Sequence, residues 1–127
     1  MARKALLLLL VFSLLLEAAL TFAGFLLPDL VLTKFGVAPT SDTRFMAFAM
    51  AWLLLLVTLV CGLALYWTWK RHPGYAPLGY VLGLWWVGIG LGLYLGYGRL
   101  DNLVLDTGKG LLLVLATWGS RLRERTN

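Results

Sequence analysis

The apolar positions of this chain fall into long runs rather than the short alternating stretches of a soluble fold. The first run, Ala5–Leu27, is Leu, Val, Phe and Ala almost without interruption, with one carboxylate, Glu17, in its middle. About 20 apolar residues cross a bilayer as a helix, so the run predicts a spanning helix over 5–27, with Pro28-Asp29 as its stop. Residues 28–44 mix apolar anchors with Gly36, Pro39 and polar groups. They predict an irregular connection along the membrane interface, and Thr40-Ser41-Asp42 near its end offers N-cap oxygens to the next helix. A second helix is expected over 45–69, closing on Tyr66, Trp67 and Trp69, the aromatic belt of a helix leaving hydrocarbon. Lys70-Arg71-His72-Pro73-Gly74 then turns the chain into a third helix over 75–98. The fourth apolar run, Gly110–Gly119, is too short to span by itself. A spanning fourth helix over 103–119 must therefore admit Asp106 and Lys109 to the bilayer, a re-entrant segment being the alternative.

Composition agrees with this pattern. The chain is 61% hydrophobic and 13% charged over 127 residues, and its mean hydropathy is +0.84. Soluble domains are about 45–50% apolar. The expected fold class is thus an all-α integral membrane four-helix bundle forming one domain, 1–127. The net charge of +5 comes from eleven Lys and Arg scattered at the ends of apolar runs, which is a topology signal and not a nucleic-acid-binding stripe. With four spans, Arg3, Lys4, Lys70, Arg71, Arg121, Arg123 and Arg125 share one side, against Lys34, Arg44 and Arg99 on the other, with Lys109 further in. The positive-inside bias then places both termini in the cytoplasm, an N-in, C-in topology. The opening Met-Ala-Arg-Lys, Leu run and Thr21-Phe22-Ala23 imitate a cleavable signal, but the run continues to Leu27 and Glu17 is foreign to a signal core, so the segment is expected to stay on the protein. Cys61 reads as a small buried residue and His72, the lone histidine, as a solvated loop residue rather than a proton relay.

The charges inside the runs are the candidate chemistry. Counted along the helices, Glu17 lies roughly 18 Å from the cytoplasmic end, and Lys109 and Asp106 roughly 15 and 20 Å. The three share a level, and Asp106 and Lys109, three residues apart, share a helical face. A charge at bilayer depth costs about 2.5–3.5 kcal/mol unless paired or hydrated, which favours pointing Asp106 and Lys109 at Glu17. Two carboxylates and one ammonium leave a deficit, met either by Arg44 or Arg99 reaching in or by a carboxyl that stays protonated. Such a cluster is either a structural ion-pair network or a ligand site that Trp52, Trp85, Trp86, Tyr94 and Tyr97 can line. Separately, Gly79, Gly83, Gly88, Gly92 and Gly96 stand four apart in two groups along the third helix and predict close helix packing.

Two families resemble the chain at these residues. The plan of a first helix, a Pro-containing outer loop, an arginine opening the second helix (Asp42-Thr43-Arg44-Phe45) and a basic proline turn (Lys70-Arg71-His72-Pro73) resembles the DoxX-like small bacterial four-helix membrane proteins. That resemblance implies a protein of the bacterial inner membrane, sometimes tied to redox partners, and carries no catalytic residues over. Leu16-Glu17-Ala18 and Gly98-Arg99-Leu100-Asp101 resemble the small multidrug resistance exporters, which place a glutamate in the middle of their first helix. The long first loop, Asp106 and Lys109 depart from that family.

These features imply a non-enzymatic module that binds a lipid, quinone or other small amphipathic molecule around Glu17, Asp106 and Lys109, alone or in service of a larger membrane complex. A proton-coupled exporter acting as a homodimer is the alternative. An enzyme using Glu17, Asp101 and Asp106 as acid and base is a third reading, but no nucleophile with an adjacent base, metal-ligand cluster or phosphate-cradling loop accompanies them. The expected partners are membrane lipids. No cofactor, metal or nucleic acid is implied.

Overall fold

The structure, a computed structural model, describes residues 1–126. Secondary structure among these residues is helical throughout: α1 (Ala2–Leu26), α2 (Pro28–Lys34), α3 (Ser41–Lys70), α4 (Tyr75–Tyr97), a short α5 (Leu100–Asn102), a π-helical turn (Leu103–Thr107) and α6 (Gly108–Thr126). Three of these, α1, α3 and α4, are long and apolar enough to cross a membrane. The chain divides into two compact units, a middle unit Phe12–Gly62 and a terminal unit of Met1–Val11 with the chain from Leu63 onward.

One face of α1 is buried along its whole length: Leu6, Leu10, Ser13, Glu17, Thr21 and Gly24 recur every three or four residues, the spacing that lines one side of a helix. In the middle unit this face meets α3. A Cβ on Gly24 would lie 2.9 Å from the Ala51 Cβ, so the two backbones approach through small residues. Thr21 and Thr58 hydroxyls lie 3.2 Å apart, and each also reaches a carbonyl one turn back, Glu17 O and Leu54 O, both at 2.7 Å. Beyond them Phe25, Phe48 and Trp52 pack edge to face at centroid distances of 5.3–6.4 Å.

The connection after α1 is more ordered than its composition predicts. Pro28 ends one helix and starts another: Leu27 leaves helical geometry at φ −131°, and Pro28 opens α2, where its missing N–H costs nothing and its fixed φ suits the first turn. Asp29 in the first turn and Lys34 in the last complement the helix dipole. Gly36, at φ +73°, closes α2, with Val37 N–H donating to Leu32 O at 2.9 Å and Gly36 N–H to Thr33 O at 3.0 Å. This is a Schellman closure and needs the left-handed conformation that glycine adopts freely. Thr40 caps α3 reciprocally with Thr43: Thr40 N–H donates to Thr43 Oγ1 at 2.7 Å and Thr43 N–H to Thr40 Oγ1 at 3.2 Å.

In the terminal unit, α3 ends on the same kind of closure with Arg71 in the left-handed position at φ 58°, where His72 N–H donates to Trp67 O at 2.9 Å. The Arg3 guanidinium donates to the carbonyls of Thr68 and Trp69 and caps this helix end. His72 is built into the turn: its Nδ1 accepts from Gly74 N–H at 3.1 Å and its ring stands 4.5 Å from Trp67.

α4 and α6 pack through a glycine-and-hydroxyl seam. A Cβ on Gly83 would lie 2.6 Å from Val114 Cγ2 and 2.8 Å from Gly110 O, and Gly79 is pressed against Thr117. Gly90 is pressed against the π turn, a Cβ there lying 2.7 Å from Thr107 N and 2.9 Å from Asn102 O. At Gly88, Gly92 and Gly96, by contrast, nothing lies within 4 Å among the described residues. The reason is helical register. Gly79, Gly83 and Gly90 are spaced four and seven apart and share one face, whereas Gly88 is nine residues from Gly79, about two and a half turns, and points the other way. Within the chain, close packing thus falls at Gly79, Gly83 and Gly90, while Gly88, Gly92 and Gly96 form an exposed stripe.

Candidate functional site

The fourth helical segment starts where α4 stops. Gly98 takes φ +65° and its N–H donates to Tyr94 O at 2.8 Å, which ends the helix and turns the chain. Arg99 and Asp101 pair at 3.1 Å at this mouth, with side chains 29% and 51% exposed. Helical backbone then resumes at Leu100 and widens into the π turn at Leu103–Thr107. A π turn inserts one residue into the helical register and is frequent at functional sites.

The polar side chains of this turn converge within the terminal unit. Asn102 Nδ2 donates to Asp106 Oδ2 at 2.8 Å. Lys109 Nζ lies 3.8 Å from Asp106 Oδ1, too long for a tight hydrogen bond but close enough for strong attraction away from water. The same ammonium sits 4.0 Å from the centroid of the Trp86 ring on α4. Lys109 is 6% exposed and Trp86 2%, so the cation is held by a carboxylate and an aromatic face out of bulk solvent. Asn102 Oδ1 and Thr107 Oγ1 are buried with no hydrogen-bond partner among the described residues. Buried polar atoms are satisfied in the great majority of cases, and each exception calls for an occupant or a stored strain.

The remaining residues singled out from the sequence are placed as follows. Glu17 lies in the middle unit, 4% exposed on the buried face of α1. Arg44 does not reach inward: its Nε and Nη2 hold Asp29 Oδ1 and Oδ2 at 2.8 and 3.0 Å, a bidentate pair on the half-exposed outside. That pair holds the Asp29 carboxyl below the ordinary carboxylate range, chiefly through the arginine's hydrogen bonds. The sequence shows Asp29 only as a helix stop, and what it did not reveal is that Pro28 starts a helix, which brings Asp29 to Arg44. Asn102 and Thr107 were missed as well, although Asn102 stands four residues before Asp106, the spacing of one helical face. Trp86, one of five aromatic candidates, is the one that meets Lys109; Trp52 packs with Phe25 and Phe48 in the middle unit. Among the described residues, no group of three or more His, Cys, Asp or Glu is placed to hold a metal ion. Two clefts of about 230 and 220 Å³ open near the end of α6, and Glu17, Asp106 and Lys109 line neither.

Comparison with known proteins assigns no family: no family model matches the chain, and no curated protein or solved structure matches it.

Proposed function

We propose that this chain is a multi-pass protein of a bacterial inner membrane that binds, without transforming it, a small amphipathic molecule such as a lipid or a quinone at the polar turn Asn102–Lys109. In this reading residues 103–119 form the fourth span of a four-helix bundle, and both termini lie in the cytoplasm. Three apolar helices of spanning length support the membrane setting, and the basic residues gathered at Arg3–Lys4, Lys70–Arg71 and Arg121–Arg125 support the orientation. The arginine that opens α3 and the basic proline turn after it are also the features by which the chain resembles the DoxX-like proteins.

The observation that carries the binding reading is the pair of buried oxygens without a partner among the described residues, Asn102 Oδ1 and Thr107 Oγ1, beside a buried ammonium and a part-buried carboxylate. A purely structural ion pair has no need of extra polar atoms left unsatisfied beside it, because each costs about 1–3 kcal/mol. A ligand with a carbonyl, hydroxyl or headgroup at one end and an apolar body satisfies them while its body stays in hydrocarbon. Ionisable groups at bilayer depth are functional by default, and Glu17 in the first span is assigned the same class of role.

Titrating decylubiquinone into the protein in lipid nanodiscs, with tryptophan fluorescence as readout, tests this reading, because a quinone at Lys109 lies beside Trp86. Saturable quenching that weakens about tenfold or more in Asp106→Asn and Thr107→Val supports it. Equal quenching in all three proteins overturns it for quinones, and the same titration with a short-chain phospholipid does so for lipids.

A further inference from the structure

At the other end of α6 two arginines stand without partners among the described residues. Arg121 and Arg125, four residues apart on one helical face, line a cleft of about 230 Å³ together with Tyr80, Trp118 and Leu122. Neither guanidinium makes a hydrogen bond or ion pair among the described residues, although Glu124 stands between them in sequence; that carboxylate accepts from Tyr75 Oη at 2.9 Å on a different side of the helix. Like charges four apart on a helix repel, so the pair calls for an anion. Arginines in a last turn also complement the helix dipole, which accounts for their charge but not for a cleft framed by two aromatic side chains with O–H and N–H donors.

The apolar surface that leads away from this cleft points to the nature of the anion. Leu111, Leu115, Trp118 and Leu122 follow one another at intervals of four, three and four, and all are exposed, from 44% at Leu122 to 58% at Leu115. They form one continuous stripe running from the arginines back toward the middle of the helix. A free phosphate has no use for such a stripe, whereas an acyl chain covers it.

We propose that the cleft between Tyr80, Trp118, Arg121 and Arg125 binds the phosphate of an anionic phospholipid, whose acyl chain lies along the Leu115–Leu111 stripe of α6. The guanidinium forks take the phosphate oxygens, and the Trp118 indole and Tyr80 hydroxyl stand at headgroup level, where such rings are favoured. This inference rests on the membrane reading of the helices but not on the ligand of the polar turn. The two sites are at opposite ends of α6 and use different residues.

Native mass spectrometry of the detergent-solubilised protein, titrated with phosphatidylglycerol and with phosphatidylcholine, tests it. The unaltered protein is expected to bind phosphatidylglycerol in preference. Arg121→Gln and Arg125→Gln should each weaken that binding about fivefold and together about thirtyfold, while Lys4→Gln with Lys70→Gln, which removes the same charge elsewhere, changes it less than about twofold. Because Arg121 and Arg125 hold no partner among the described residues, the variants should melt within a few degrees of the parent; if the double variant does not fold, the single variants and the lipid preference of the unaltered protein decide. Equal affinity for the two lipids, or equal loss in the lysine control, overturns the proposal. So does displacement of phosphatidylglycerol by millimolar inorganic phosphate, which would make the cleft a site for free phosphate.

Discussion

The ammonium of Lys109 lies 4.0 Å from the centroid of the Trp86 ring, with both residues almost wholly buried. A desolvated cation over an indole is worth about 2 kcal/mol, and phenylalanine keeps part of that attraction where leucine keeps none. In a denaturant titration, Trp86→Leu should therefore lose more stability than Trp86→Phe. A cycle of Trp86→Leu with Lys109→Met should show a coupling of about 1–2 kcal/mol. Additive losses would show that ring and ammonium do not interact.

The two glycine faces of α4 should respond oppositely to one added methyl. Gly90→Ala drives a Cβ into Thr107 N of the π turn and Asn102 O at the end of α5, and should cost about 1–3 kcal/mol. Gly88→Ala meets open space and should be neutral or stabilising by up to about 1 kcal/mol. Thermal melts in one detergent compare them directly, and equal losses would contradict the assignment of faces.

The long helices were legible in the sequence because an apolar run of 20 or more residues has few alternatives. What was not legible depends on local backbone geometry. Five glycines standing four apart in two groups look like one ladder until the nine-residue step from Gly79 to Gly88 is turned into an angle. Pro28 reads equally as the end of one helix and the first residue of the next, and only the geometry of Leu27 decides. The π turn has no composition of its own: Leu103–Thr107 is an ordinary apolar stretch with one aspartate. For that reason Asp106 and Lys109 were readable as candidates, while Asn102, Thr107 and Gly90, which the turn gathers around them, were not.

The pair of Asp29 and Arg44 sets a pH dependence of definite sign. Asp29 is lowered from 3.8 in the folded chain, so the unfolded state binds its proton first as pH falls. Its stabilising contribution is complete above the unfolded value and is lost as pH drops through the folded one. Between about pH 5 and pH 2 the unaltered protein should lose a small increment of stability that Arg44→Gln lacks. Parallel melting curves for the two proteins over that range would contradict the pairing.

Thr107→Val replaces a buried hydroxyl without a hydrogen-bond partner by a methyl of nearly the same size. In the absence of ligand this change should leave stability unaltered or raise it by about 1 kcal/mol, since it removes an unsatisfied polar atom. A loss of similar size, measured by chemical unfolding, would show that the hydroxyl is already satisfied in the empty protein.

Native mass spectrometry of the protein purified in mild detergent, without added ligand, tests most directly whether the polar turn is a binding site. In a background of Arg121→Gln with Arg125→Gln, which removes the lipid cleft at the end of α6, the chain should carry a small amphipathic adduct, and adding Asp106→Asn with Thr107→Val should leave it folded but without that adduct. A background chain free of any adduct, or an adduct retained equally with and without the changes in the polar turn, would contradict a ligand at Asn102–Lys109.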